Sequence, residues 1–179
     1  RREQSAKMLI DSFMPEGITQ LAVDSIFMMP QLGVLAAVDK KDLKEDARKA
    51  ALEVFHKDCL IRLGTCVTPV GKSKKGELLM TAEIKIQNEN IRKIDIFKDD
   101  FIRIEAPYEP VDVILTPGKN INVGGGPGEK IDTQIYGGTV GLIFDGRERP
   151  IKIPSDSMDR LNALNKWSNA INEYPQNKD

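Results

Sequence analysis

Leu78-Leu79-Met80-Thr81-Ala82-Glu83-Ile84-Lys85-Ile86 is the stretch whose reading decides the fold class. Leu78, Met80, Ala82, Ile84 and Ile86 recur at every second position, with Leu79, Thr81, Glu83 and Lys85 between them. Successive side chains of a strand point to opposite faces, so this spacing predicts a half-buried β-strand with the first set inside. The same period continues outward. Ile91, Ile94 and Ile96, then Phe101, Ile102 and Ile104, predict two short strands around the polar turn Lys98-Asp99-Asp100. Val111, Val113 and Leu115 make another, closed by Thr116-Pro117-Gly118, and Ile131, Thr133 and Ile135 one more before the Gly137-Gly138 turn. Val140, Leu142 and Phe144 run into Asp145-Gly146, a favoured tight-turn dipeptide, with Ile151 and Ile153 beyond it, which predicts a hairpin. Short strands at this spacing point to a small antiparallel β barrel or sandwich.

On either side the period lengthens to that of a helix. Ala6, Leu9, Ile10 and Phe13 share one helical face until Pro15-Glu16-Gly17 stops it. Thr19 to Val23 reads as a short strand or as the start of a helix. Met28 to Ala37 reads as a buried helix, with Pro30 in its first turn and Gly33 admitting another backbone. Asp42 is a candidate N-cap for a helix carrying Leu43, Ala47, Ala50, Ala51, Val54 and Phe55 on one stripe. After Pro154, Ser155 is the expected cap of a closing amphipathic helix with the stripe Met158, Leu161, Leu164, Trp167, Ile171 and Tyr174. The expected architecture is α+β: a helical segment over 1–60, a β module over 61–153, and a closing helix and tail over 154–179.

Composition narrows the function classes. The 26 Lys+Arg and 27 Asp+Glu leave a net charge of -1, without the basic surplus that a nucleic-acid binder uses against phosphates. The longest apolar run, Ile26 to Val38, is broken by Pro30 and Gly33 and falls short of the roughly 20 residues that span a bilayer. Two cysteines make no disulfide framework, so a reduced, cytoplasmic setting is expected. Neither nucleic acid nor membrane is an expected partner.

Candidate chemistry is sparse. In Val123-Gly124-Gly125-Gly126-Pro127-Gly128-Glu129-Lys130, the amides of Gly124, Gly125, Gly126 and Gly128, with Lys130 behind them, suggest an anion or nucleotide cradle. A phosphate-binding loop, however, places a helix and a Lys-Ser/Thr pair after its last glycine, whereas Glu129 and a strand follow here. A wide turn with several positive-φ positions is therefore the expected form. Arg147 and Arg149, in Asp145-Gly146-Arg147-Glu148-Arg149-Pro150, have the geometry to grip a carboxylate or phosphate, although a solvated hairpin end is the expectation for them. His56 lies near a helix end, where capping or exposure is expected. Cys59 and Cys66 lack neighbouring ligands, so no metal site is expected, and Cys66 reads as a buried, inert thiol. No carboxylate pair has acid–base spacing. No catalytic residue is assigned and no cofactor is expected in this chain.

Two groups of motifs carry a resemblance. Leu63-Gly64-Thr65 with Thr68-Pro69-Val70-Gly71, and Asn122 to Gly128 leading to Gly137-Gly138-Thr139-Val140-Gly141-Leu142-Ile143-Phe144-Asp145-Gly146-Arg147, resemble the C-terminal part of the glutamate-mutase accessory proteins of the MutL/GlmL type. That family is unrelated to the mismatch-repair protein of the same letters. Met14 to Asp24 and Pro30 to Ala36 are similar to its segment just after the nucleotide-binding core. The resemblance implies an actin-like ATPase upstream of this region, acting as an activating or chaperone-like partner of an adenosylcobalamin-dependent mutase. ATP would belong to the parent protein, since its phosphate-binding segments have no match here. With the start at Arg1, this predicts a chain that begins inside a larger protein. Residues 1–60 would then close the ATPase core, and the β module would serve protein interaction, with homo-oligomerisation as a further option.

Overall fold

A computed structural model describes residues 1–37, 44–87 and 89–174. The chain is α+β and forms two compact units, one of residues 1–21 with 63–179 and one of residues 22–62. One boundary between the units, at 62/63, lies near the expected 60; the other is at 21/22, and none falls at 153. The first and last helices belong to the larger unit, where Ala6, Ile10, Trp167 and, just after the last helix, Ile171 are buried.

In the larger unit, α1 (Arg2–Phe13) ends where Met14 turns left-handed at φ 46, and β1 (Gly17–Asp24) follows. Thr19–Val23 is therefore strand. The further strands are β2 (Leu60–Thr68), β3 (Val70–Gly71), β4 (Leu78–Lys85), β5 (Arg92–Phe97), β6 (Phe101–Ile104), β7 (Pro110–Pro117), β8 (Ile121–Asn122), β9 (Ile131–Tyr136) and β10 (Gly141–Asp145). They are arranged as one sheet in the order β1-β2-β10-β6, a second in the order β5-β4-β7-β9, and the small pair β3-β8. Val67, Leu142 and Phe144 from the first sheet join Met80, Ala82, Ile84, Ile96, Val113, Leu115 and Ile135 from the second in one apolar cluster. This is the sandwich alternative of the expected pair, with no closed barrel among the described residues.

Three sequence expectations change in the strands. On β4, Leu79 is buried while Leu78 is 44% exposed. The register of β4 against β5 shifts between Leu78 and Met80, and such a bulge moves a side chain to the other face. The first sheet is not wholly antiparallel, because β10 runs parallel to β2 with Gly141 opposite Gly64. These glycines have φ of 108 and 155, and a Cβ on Gly64 would overlap the Gly141 carbonyl oxygen, so the pair lets two backbones meet where no side chain fits. Finally, the expected hairpin at Asp145-Gly146 does not form. β10 already has β2 on one side and β6 on the other, so a returning strand would find no free edge.

The closing helix α4 (Ser157–Ala170) is capped by Asp156, one residue after the expected Ser155; its carboxylate accepts from the amides of Met158 (2.9 Å) and Asp159 (3.0 Å). Of its expected buried stripe, Trp167 and Ile171 are inside, while Met158, Leu161, Leu164 and Tyr174 are exposed. Phe13 of α1 is likewise exposed.

The smaller unit holds α2 (Met29–Ala36), α3 (Lys44–Val54) and a π-helical turn at Phe55–Cys59. The Asp42 cap and Leu43 lie outside the described residues. Asp24 precedes α2 and caps the turn into it: its Oδ1 accepts from the amides of Ile26 (3.2 Å) and Met28 (3.3 Å), its Oδ2 from that of Met29 (2.9 Å). Contrary to expectation α2 is not buried at any residue, and a Cβ on Gly33 would meet nothing within 4 Å. Two helices alone form one layer, and burial of a helix on all sides needs more. Among the described residues, no helix is long and apolar enough to cross a membrane.

Candidate functional site

The segment after β10 folds inward. β10 is buried at every residue, and its last, Asp145, carries a carboxylate into that interior. A buried charge persists when it is paired and hydrogen-bonded. Asp145 Oδ1 accepts from the backbone N–H (3.1 Å) and Nε (2.8 Å) of Arg147, and Oδ2 accepts from Arg147 Nη2 (2.9 Å) and Arg149 Nη2 (2.8 Å). Arg147 is thus held in the two-pronged geometry that makes guanidinium–carboxylate pairs strong. Its guanidinium carbon lies 4.3 Å from the centre of the Phe101 ring and 4.8 Å from that of Trp167, which ties β6 and α4 to the cluster through cation–π contacts. Arg149 donates from Nη2 to Thr68 Oγ1 (3.0 Å) and from Nε to the Pro15 carbonyl (3.1 Å), linking the end of β2 to the turn before β1.

Burial works against the charge on Arg147. The hydrogen bonds and charge of Asp145, and after them the charge of Asp11, outweigh it and hold the guanidinium pKa above its ordinary value. The nearby Cys66 thiol is pushed up to about 12, chiefly by burial and then by the charge of Asp145. Such a thiol stays protonated and unreactive at neutral pH. Cys59 is also buried and free. His56 is exposed, as the sequence leads one to expect.

The solvated hairpin tip expected for Arg147 and Arg149 is therefore corrected: their side chains are 2% and 6% exposed. Local spacing conceals this, because Asp11, Thr68, Phe101 and Trp167 come from distant parts of the chain. One signal was present. An aspartate that ends an otherwise apolar strand, with arginines two and four residues later, needs partners if the strand is central.

The glycine-rich loop is organised around Asn122. Its Oδ1 accepts from the amides of Gly124 (2.7 Å) and Gly126 (3.0 Å), while Gly128 N–H donates to the Ile121 carbonyl (2.8 Å) and Glu129 N–H to that of Gly126 (3.3 Å). Gly124, Gly126 and Gly128 have φ of 119, 120 and 74, the left-handed conformations expected of a wide turn. These amides point into the loop, where a phosphate cradle would present them outward. Gly125 and Lys130 are exposed in the same loop, and the polar contacts of Arg147 go to Asp145 and Asp11.

A small cleft of about 150 Å³ opens beside Arg149, lined by Glu16, Val70, Ser73, Lys98 and Glu148 among others. Ligand pockets are usually several hundred Å³. Lys98 Nζ donates to the Ser73 carbonyl (3.1 Å) and lies 3.5 Å from Glu148 Oε2, so its charge is shared within the protein. Among the described residues, no group of three or more His, Cys, Asp or Glu is placed to hold a metal ion. No family model, curated protein or solved structure matches the chain.

Proposed function

We propose that this chain is a protein-interaction module: the C-terminal region of an actin-like accessory ATPase that works in the cytoplasm on an adenosylcobalamin-dependent mutase. ATP would be bound by the upstream domain, and the 22–62 unit would dock onto that domain. The observation that carries the docking role is the uncovered apolar surface of α2. Met29–Ala36 contains no charged residue and buries none of its side chains. Phe27 just before it is 80% exposed, Val34 74% and Met29 57%. Exposed apolar surface of this kind marks protein contact sites, and the resemblance of its motifs to the accessory family favours the ATPase core as the occupant. The amides of Gly124, Gly126 and Gly128 are bonded within the glycine loop, which favours a protein-binding role over a nucleotide cradle at that loop.

Capture experiments test this reading. The chain immobilised through its C-terminus is expected to retain an accessory-family ATPase domain supplied in trans. The Phe27→Ser, Val34→Asp variant should weaken that retention roughly tenfold or more, a loss of ~1.4 kcal/mol or greater. Equal retention by wild type and variant, with the strands still folded by circular dichroism, would overturn it.

A further inference from the structure

We propose that α1 is a releasable latch: Asp11 sits on the part of Arg147 that Asp145 leaves open, and its departure turns that guanidinium into a seat for another carboxylate. Arg147 is built to hold its shape without α1. Its Nε and Nη2 are fixed by Asp145, two residues away in the chain, and its face is stacked by Phe101 and Trp167. Nη1 is left over, and it points at α1.

What it meets there is an incomplete partner. Asp11 Oδ1 lies 3.0 Å from Nη1, close enough for ion pairing but outside hydrogen-bond geometry. Both atoms are buried and neither has another hydrogen-bond partner. The other oxygen, Oδ2, accepts from Lys7 Nζ at 2.7 Å, so the carboxylate is divided between its own helix and the arginine. A half-satisfied buried ionic contact costs desolvation without the full return of a hydrogen bond. The rest of the hold on α1 is two buried side chains and the 3.9 Å ion pair of Lys7 Nζ with Glu173 Oε2. Ala6 and Ile10 are its buried residues, while Met8 is 69% and Phe13 77% exposed. An element with few buried apolar contacts opens at lower free energy than the core. The geometry thus joins a rigid, pre-stacked arginine to a weakly seated helix that covers its last donor.

Hydrogen exchange of the whole chain, compared for wild type, Asp11→Asn and Lys7→Gln, tests the latch. Asp11→Asn is expected to speed exchange of the α1 amides from Met8 to Phe13 about tenfold while β10 stays protected, as expected of local opening. Lys7→Gln, which spares the Arg147 contact and removes the Lys7 pairs with Asp11 and Glu173, should speed α1 exchange clearly less than Asp11→Asn. Unchanged α1 exchange in Asp11→Asn, parallel acceleration of α1 and β10, or an equal effect of Lys7→Gln would each overturn the latch. The seat has its own readout, because Trp167 is the sole tryptophan and stacks on Arg147. Sodium acetate should give a saturable change in tryptophan emission in Asp11→Asn and none in wild type at matched ionic strength. No saturable change in the variant, or the same change in both, would remove the seat.

Discussion

Asp145 and Glu148 stand three residues apart and carry the same charge, yet their surroundings assign them different weights. Asp145 is fully buried and accepts from two arginines, whereas Glu148, 38% exposed at its side chain, pairs with Lys98 and Lys152 in water. Removing one partner from a buried ion pair leaves the other charges stranded, so Asp145→Asn should destabilise the fold by ~3–5 kcal/mol. A solvated pair contributes little after screening, so Glu148→Gln should cost less than ~1 kcal/mol. Urea denaturation of the two variants measures the contrast; similar midpoints would mean that Asp145 is not the anchor of the cluster. Spacing alone does not separate these residues, since burial is supplied by residues such as Phe101 and Trp167 far along the chain.

Individual elements show which local signals are sufficient. The α2 entry is a local device. Asp24 accepts from the amides of Ile26, Met28 and Met29, and the bond to Met29 above all holds its carboxyl pKa below the ordinary range. A group whose pKa is lower folded than unfolded contributes stability that is present above the unfolded value and is lost as pH falls through the folded one. The amide resonances of Ile26, Met28 and Met29 should therefore hold constant down to about pH 4 and shift together below it. In Asp24→Asn this transition should vanish. A midpoint at or above the ordinary aspartate value would refute the cap. Other elements needed more than local signals. The period-two strands were legible because alternation reflects one wet and one dry face. The stripe of α4 was overextended, since Met158, Leu161 and Leu164 repeat with helical spacing yet remain exposed. The helical repeat records which residues share a face but not whether anything covers it.

Across the whole molecule, the apolar interior is unevenly shared. The larger unit contains the sandwich cluster, with Ile84, Leu115, Leu142 and Phe144 at 0% exposure. Among the described residues of the 22–62 unit, Ala51 and Cys59 are the buried ones. Opening free energy follows buried apolar contact, so amide exchange should be fastest in 22–62 and slowest in β4, β7 and β10. Equal protection in both units would contradict this distribution. The glycine loop reads correctly as a wide turn, because its positive-φ positions are a property of the glycines themselves.

By itself the sequence determined the α+β class, most of the strands, the stop of α1 and the form of the 124–128 turn, since alternation, proline and glycine act through neighbouring backbone. Tertiary structure decided which sheet each strand joined, that β10 lies parallel to β2 with both edges taken, and that Asp145, Arg147 and Arg149 are interior. Those outcomes depend on partners brought from opposite ends of the chain. The energy of a charge is set by the medium and the counter-charges around it, which local spacing does not encode.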